Sequence, residues 1–484
     1  MAETMESFLD RISSGIHKLP SLIVRDIYFV VPLDYDKKDL TEIKFYKQTE
    51  CIETDLKNTA LNFVPPGFIK IFARHIVHNH NAGKLDELPF LIYFQGGPGF
   101  EVSPSVIRNI GWMKAALLEH QVLLLDQRGT GLSSPVTAQT LSFFDTSALK
   151  ADYVSKFRTE SIVADSEGIR RLLLKDKKWK ALGQSFGGFC LTHYLSYYPD
   201  SIEEAYFTGG IPPLALEPDP VYQVLFPRVI EMNNRYYSRY PDDVEKVLEI
   251  ARYLSHNHYV NLPNGGHLTV RRFQQLGLFL GAESGFEQLH YLIQGAFVDC
   301  PIVSDSLPSE KLNPIRKLSY KFLNSIQNML PYETNPLYAL LHESIYCQNR
   351  SSSWSAQRVY ERYFKDTFEF KLDETKKLLF FGEMIFPWMF EDYAQLRSLG
   401  ETAQILAEKK DWKILYLPDV LASTQTNCSA AIYYDDMYVD FNLCMQTVKC
   451  IRSIKPWITN EYLHSGIRDN GFEILKKLFD LLNK

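Results

Sequence analysis

The chain has 484 residues, 45% of them apolar and 23% charged, and carries a formal net charge of −6. That composition supports a sizeable buried core and excludes a disordered or fibrous chain. The acidic balance argues against nucleic acid or an anionic membrane as partner, because both favour basic patches.

No apolar run approaches the ~20 residues of a membrane helix. The N-terminal MAETMESFLDRISSGIHKL carries acids early, unlike a secretory signal. Seven dispersed cysteines (Cys51, Cys190, Cys300, Cys347, Cys428, Cys444 and Cys450) form no C-x-x-C pair. Such a set suits reduced thiols and a cytoplasmic location.

In chain order, residues 1–20 read as an amphipathic helical lead-in. Strands are predicted over Arg25 to Pro32, Thr41 to Gln48, Phe68 to His78 and Pro89 to Phe94, on β-branched and aromatic content and turn punctuation. Helices then alternate with strands. Val106 to Glu119 precedes the strand Gln121 to Asp126, Ile162 to Leu174 precedes Trp179 to Gly183, and Phe186 to Tyr198 precedes Glu204 to Thr208. That alternation predicts an α/β fold with a mostly parallel sheet covered on both faces.

After Gly209-Gly210-Ile211-Pro212-Pro213 helical spacing and aromatics dominate. Helices are predicted over Tyr222 to Tyr237, Asp242 to Ser255, Val270 to Leu280, Phe286 to Gln294, Leu312 to Asn328 and Ser352 to Phe364. The sheet pattern resumes with Ser429 to Tyr434, a helix Phe441 to Ile451, the strand Pro456 to Asn460 and a helix Phe472 to Leu482. The expected organisation is a core over 1–212 with an N-terminal extension 1–60, a helical cap over 213–425, and a second core part over 426–484.

Gly183-Gln184-Ser185-Phe186-Gly187-Gly188 follows an apolar strand and opens a helix. This is the G-x-S-x-G nucleophile elbow in the context it needs, the mark of the α/β-hydrolase fold. Tyr93-Phe94-Gln95-Gly96-Gly97-Pro98-Gly99 ends an earlier strand, and a glycine-rich loop there lets a backbone N–H approach a developing oxyanion. Gly97 is the expected first donor, with Gly96 as the alternative, and Phe186 N–H is the second. A third loop, Asp126-Gln127-Arg128-Gly129-Thr130-Gly131, suggests a buried Asp–Arg brace beneath the site.

In such folds the acid and base follow the serine in that order. Of the 12 histidines only His464 lies beyond His342, on a loop after the last predicted strand. The acid follows the preceding strand, at Asp436 or its neighbour Asp435. Asp436 is preferred, so the expected triad is Ser185, Asp436 and His464. His75, His78 and His80 are explained by a strand and its polar end, and no metal or organic cofactor is expected.

The three loops in this order resemble those of the proline iminopeptidases, over roughly residues 65–482. Asn335 to Glu343 and Gly382 to Phe390 look like cap segments of the larger members. Asp435 to Val439 and Trp457 to Tyr462 look like their acid and base loops. The resemblance implies a serine exopeptidase that releases an N-terminal proline, or a similar small residue, from a peptide with a free N-terminus. It also implies cap carboxylates for the substrate amine, here Glu343 and Glu383. One departure is Gln95, where the family usually has a histidine that supports the loop; glutamine also forms hydrogen bonds. The competing readings are an esterase or amidase on the same scaffold, and a non-catalytic hydrolase-like binding protein.

Overall fold

The apolar strands pair into one sheet of ten strands. The computed structural model describes residues 3–46, 64–214, 217–300, 315–372 and 376–483. The strands used below are β1 (Gly15–Leu19), β2 (Leu22–Pro32), β3 (Phe68–His78), β4 (Phe90–Phe94), β5 (Gln121–Asp126), β6 (Trp179–Gln184), β7 (Ile202–Thr208), β8 (Asn427–Tyr433) and β9 (Ile454–Thr459). Their spatial order is β1-β2-β3-β5-β4-β6-β7-β8-β9, and a two-residue bridge at Lys44–Phe45 joins β2.

From β5 onward neighbouring strands run parallel. Strands β1, β2 and β3 add an antiparallel edge, with β2 and β3 in register from Leu22↔His78 to Pro32↔Phe68. The sheet is therefore mostly parallel, as the alternating pattern predicts.

Every residue of β4 and β5 is buried, as strands covered on both faces must be. Each large apolar side chain there contributes about 1.5–3 kcal/mol by leaving water. On one face Tyr93, Leu124 and Leu182 pack with Trp112 and Met113 of α1 (Gly111–Glu119) and with Ile474 and Leu478 of α4 (Gly471–Leu482). Alternate strand residues point to the other face, where Phe94 and Trp179 meet Tyr194 edge-on. Tyr194 lies on α3 (Phe186–Tyr197) and donates to Glu167 of α2 (Thr159–Leu174).

The chain divides into two compact units. One comprises Met1–Pro218, Asn335–Ser353 and Thr402–Lys484; the other comprises Asp219–Thr334 and Trp354–Glu401. The boundaries differ from the expected cap of 213–425, because residues 335–353 and 402–425 belong to the sheet-bearing unit. Arg158 shows how they are held: its buried guanidinium donates to the carbonyls of Ser344, Cys347 and Lys413. The second unit has the expected helices, Pro218–Arg239 from its second residue on, Asp243–His256 and Gly285–Gln294, around an aromatic core of Tyr236, Tyr237, Phe273, Phe286 and Phe380. It also holds two small hairpins, Val260–Asn261 with His267–Leu268 and Phe297–Cys300 with Ile315–Leu318, which helical spacing hides.

Other differences are local. The lead-in is helical only over Met5–Ile12, where Thr4 caps it, and then turns into β1. The predicted strand Thr41 to Gln48 becomes a 3-10 turn at Leu40–Glu42 and the short bridge, and its last two residues lie outside the described residues. The start of the predicted helix at Leu312 and the Cys51 thiol lie outside them too. Among the described residues no helix is long and apolar enough to cross a membrane. None of Cys190, Cys347, Cys428, Cys444 and Cys450 is in a disulfide.

Three buried histidines of the sheet-bearing unit are held neutral. His75 donates to Gln121 Oε1 (2.9 Å), His120 Nδ1 to the Ala116 carbonyl (3.1 Å) and His193 Nδ1 to the Leu415 carbonyl (2.6 Å). Burial pushes His75 down to about 3, and His120 and His193 to about 4. The unfolded chain takes up these protons near pH 6.5 while the folded chain refuses them, so stability is full above that value and lost as pH falls toward 4. Each histidine contributes a slope of about 1.4 kcal/mol per pH unit within that window. The urea midpoint is therefore expected to fall between about pH 7.5 and pH 5, and replacing His120 with glutamine should flatten the fall. A midpoint constant across that range contradicts this account.

Candidate active site

Strand β6 is buried from Ala181 to Gln184, and the chain then turns into α3 through Ser185. Ser185 has φ 54° and ψ −127°, a region that costs a residue with a side chain about 1–3 kcal/mol. Its N–H donates to the Thr208 carbonyl of β7 (3.1 Å), and its carbonyl accepts from Gly188 N–H (2.8 Å). From Ala181 to Ser196 every residue is buried except Ser185, so the turn presents one accessible side chain, a hydroxyl.

The turn is this tight because neighbouring backbones come into contact. A Cβ on Gly187 would lie 1.9 Å from the Phe94 carbonyl oxygen, and one on Gly210 2.2 Å from the Ser185 carbonyl oxygen. No side chain fits at either position. Gly209 (φ 55°) leaves β7 beside the candidate base: a Cβ there would sit 3.2 Å from His464 Nδ1. Two successive glycines thus touch Ser185 on one side and His464 on the other.

His464 lies on the loop after β9 and is buried. Its Nδ1 hydrogen-bonds Asp436 Oδ2 at 2.6 Å. An ionised carboxylate only accepts, so Nδ1 carries the proton and Nε2 of the neutral ring is left as an acceptor. Asp436 follows β8 and is fixed independently. Its Oδ1 accepts from Tyr438 N–H (2.8 Å) and Val439 N–H (3.0 Å), which leaves Oδ2 for the imidazole. Tyr438 stands edge-on to the His464 ring, with centroids 4.8 Å apart. Tyr433 supports the floor: burial pushes its phenol up, and its hydroxyl pairs with Thr208 Oγ1 (2.7 Å).

The glycine-rich loop meets the serine directly, since a Cβ on Gly96 would lie 2.9 Å from Ser185 Cβ. Gly97 follows with φ 136°. Phe186 is the first residue of α3, so its N–H has no intrahelical acceptor. Gln127 Nε2 donates to the Gln95 carbonyl (3.0 Å).

The expected brace is built differently. Asp126 caps the N–H groups of Val102 and Leu132, and burial raises its pKa against those bonds. Arg128 pairs instead with Asp165 of α2, through two hydrogen bonds of 2.6 and 2.7 Å, and takes the carbonyls of Pro32, Leu33 and Lys156. Asp165 is 37 residues away, and no local pattern marks it.

The candidate amine-binding carboxylates fall in different units. Glu343 belongs to the sheet-bearing unit and is buried in the turn Glu343–Tyr346. Around it, Tyr338 packs on Phe100 of the glycine loop and Tyr346 on Phe189 of α3. Asn335 donates to the Gly99 carbonyl (3.1 Å), and Arg158 holds the carbonyl of Ser344. Glu383 belongs to the second unit, is half-buried, and follows a segment pinned by Asn233, whose amide bonds both the N–H and the carbonyl of Phe380. Among the described residues no group of three or more His, Cys, Asp or Glu is placed to hold a metal ion.

A parallel sheet with a strained serine at the strand–helix turn, followed in the chain by an aspartate bonded to a histidine, defines an α/β hydrolase. The alpha/beta hydrolase fold family matches residues 89–268. A proline iminopeptidase of Aeromonas sobria is 41% identical over 477 residues, covering 99% of each chain. A proline iminopeptidase of Aspergillus aculeatus is 34% identical over 424 residues, covering 86% of this chain and 89% of its own. The chain belongs to the proline iminopeptidase family of serine hydrolases.

The Gly210 contact has a direct test. A methyl group in Gly210→Ala displaces the Ser185 carbonyl, and labelling of Ser185 by a fluorophosphonate is expected to slow by on the order of 10²-fold. Ser185→Ala, the control, should take no label. Labelling of the Gly210 variant at the parent rate shows that this contact does not position the serine.

Proposed function

We propose that the chain is a serine exopeptidase that releases an N-terminal proline from peptides, and that it works in the cytoplasm. The carrying observation is the 2.6 Å bond between His464 and Asp436 in the unit that holds Ser185 in its strained turn. The two relatives named proline iminopeptidases supply the substrate class.

Ser185 Oγ attacks the proline carbonyl carbon while His464 Nε2 takes its proton. Asp436 keeps the imidazole in the required tautomer and stabilises the imidazolium. The N–H groups of Gly97 and Phe186 receive the oxyanion. His464 then gives the proton to the departing amine, leaving proline esterified to Ser185, and water deacylates the enzyme by the same route. Asp436→Asn is expected to lower kcat by on the order of 10³–10⁴-fold, because His464 then takes the wrong tautomer. Asp435→Asn is expected to have a small effect; if it is the more damaging change, the acid is Asp435.

The substrate's ammonium group needs a carboxylate opposite it once desolvated. Glu343 is the first candidate, because its turn packs beside the glycine loop and α3, and the rings of Phe100, Tyr338, Phe189 and Tyr346 suit a proline ring. Glu383 is the second. The test compares proline naphthylamide, its N-blocked analogue and a small neutral ester. The proposal expects turnover of the free-amine substrate and rejection of the blocked one. Glu→Gln at an amine-binding position should cost about 2–4 kcal/mol in kcat/KM for the free amine and leave the ester nearly unchanged. Equal losses on both substrates would assign that glutamate a structural role. Ready hydrolysis of the blocked substrate overturns the exopeptidase reading.

A further inference from the structure

The two glycines after Gln95 make the oxyanion loop conformationally free, because glycine occupies both halves of φ space readily. Oxyanion stabilisation depends on N–H groups fixed in direction before the reaction starts. Something must therefore hold the peptide planes of this loop.

The side chain in place is Gln127, one residue beyond β5 and 1% exposed. Its Nε2 donates to the Gln95 carbonyl at 3.0 Å. Its own main chain is anchored, since Thr130 donates to the Gln127 carbonyl from both N (3.0 Å) and Oγ1 (2.7 Å). The neighbouring Asp126 grips the far end of the same loop through Val102 N–H (3.2 Å). Gln127 Oε1 is buried and has no hydrogen-bond partner among the described residues. The amide is kept inside although only one end of it is satisfied, and that end is on the loop.

In a planar trans peptide the C=O and the following N–H point in opposite directions. Fixing the Gln95 carbonyl therefore fixes the Gly96 N–H, and with it the start of the next plane, which carries Gly97 N–H. The Gln95 oxygen is confined on another side by Gly187, where a Cβ would lie 3.0 Å from it.

We propose that Gln127 is a positioning residue for the oxyanion loop: its amide holds the Gln95 carbonyl and thereby orients the N–H groups of Gly96 and Gly97 toward the oxygen that becomes negative when Ser185 attacks. The inference rests on the serine-hydrolase reading but not on the preference for proline.

The experiment uses the full chain and two variants. Gln127→Met keeps the length and removes the donor. Gln127→Glu keeps the shape: a protonated carboxyl donates to the Gln95 carbonyl, whereas a carboxylate cannot. For Gln127→Met, the fluorophosphonate labelling rate and kcat are expected to fall together by on the order of 10²-fold. KM should stay within about threefold, because the interaction acts in the transition state. The activity of Gln127→Glu relative to the parent at the same pH is expected to rise as pH is lowered. A ratio that is flat and near one also supports the proposal, since burial keeps a carboxyl protonated.

A merely structural role lowers the number of labelled sites rather than the rate per site, and leaves the Gln127→Glu ratio low and flat; either result overturns the proposal. So does labelling of Gln127→Met at the parent rate. If the parent protein takes no label, the serine-hydrolase reading fails as well, which separates that failure from the failure of Gln127 alone.

Discussion

The close approach of three backbones at the end of β6 governs the rest of the site. The Phe94 carbonyl, the Ser185 turn and Gly210 meet at distances that admit only hydrogen on Gly187 and Gly210. Main-chain contact of this kind cannot relax by changing a rotamer, so the serine, the glycine-rich loop and the end of β7 are fixed with respect to one another. The strain at Ser185 persists because its N–H and carbonyl are both committed, to Thr208 and Gly188. His464, bonded to Asp436, reaches the same place at Gly209, whose missing side chain leaves room for the imidazole.

Around this centre buried guanidinium groups organise segments that regular structure does not. Arg128 collects carbonyls from Pro32, Leu33 and Lys156 and balances its charge on Asp165. Arg158 does the same for Ser344, Cys347 and Lys413, with Glu160 as counter-ion and Trp412 under its face. A planar fork of five donors suits this work, because one side chain satisfies several carbonyls where a loop has no strand to pair with. Through Arg158 the turn carrying Glu343 is part of the sheet-bearing unit.

What was legible in the sequence follows from the range of each interaction. Glycine patterns record backbone contacts within a turn, so the elbow around Ser185 and the loop at Gly96 and Gly97 could be read directly. Chain order and the scarcity of late histidines pointed to His464. That Asp436 rather than Asp435 bonds His464 follows from which carboxyl the Tyr438 and Val439 N–H groups hold, and no spacing states that. The Asp126–Arg128 brace was misread because an adjacent pair at a strand end looks like an ion pair, whereas the partner is Asp165 on α2. Residues 335–353 and 402–425 have cap-like helical composition and yet are tied into the sheet-bearing unit by long-range side-chain bonds, which composition does not show. The hairpins of the second unit were too short to show a period.

The order of the segments along the chain has a consequence for synthesis. Ser185, its turn and the glycine-rich loop are encoded before the second unit, while β8 and β9 and the loops after them, with Asp436 and His464, come after it. Domains emerge from the ribosome N-terminal part first. The nascent chain therefore holds Ser185 without Asp436 and His464 through the whole translation of the second unit. Only after that can β8 pair with β7 and β9 with β8, so the sheet is closed last at the edge that brings in Asp436 and His464.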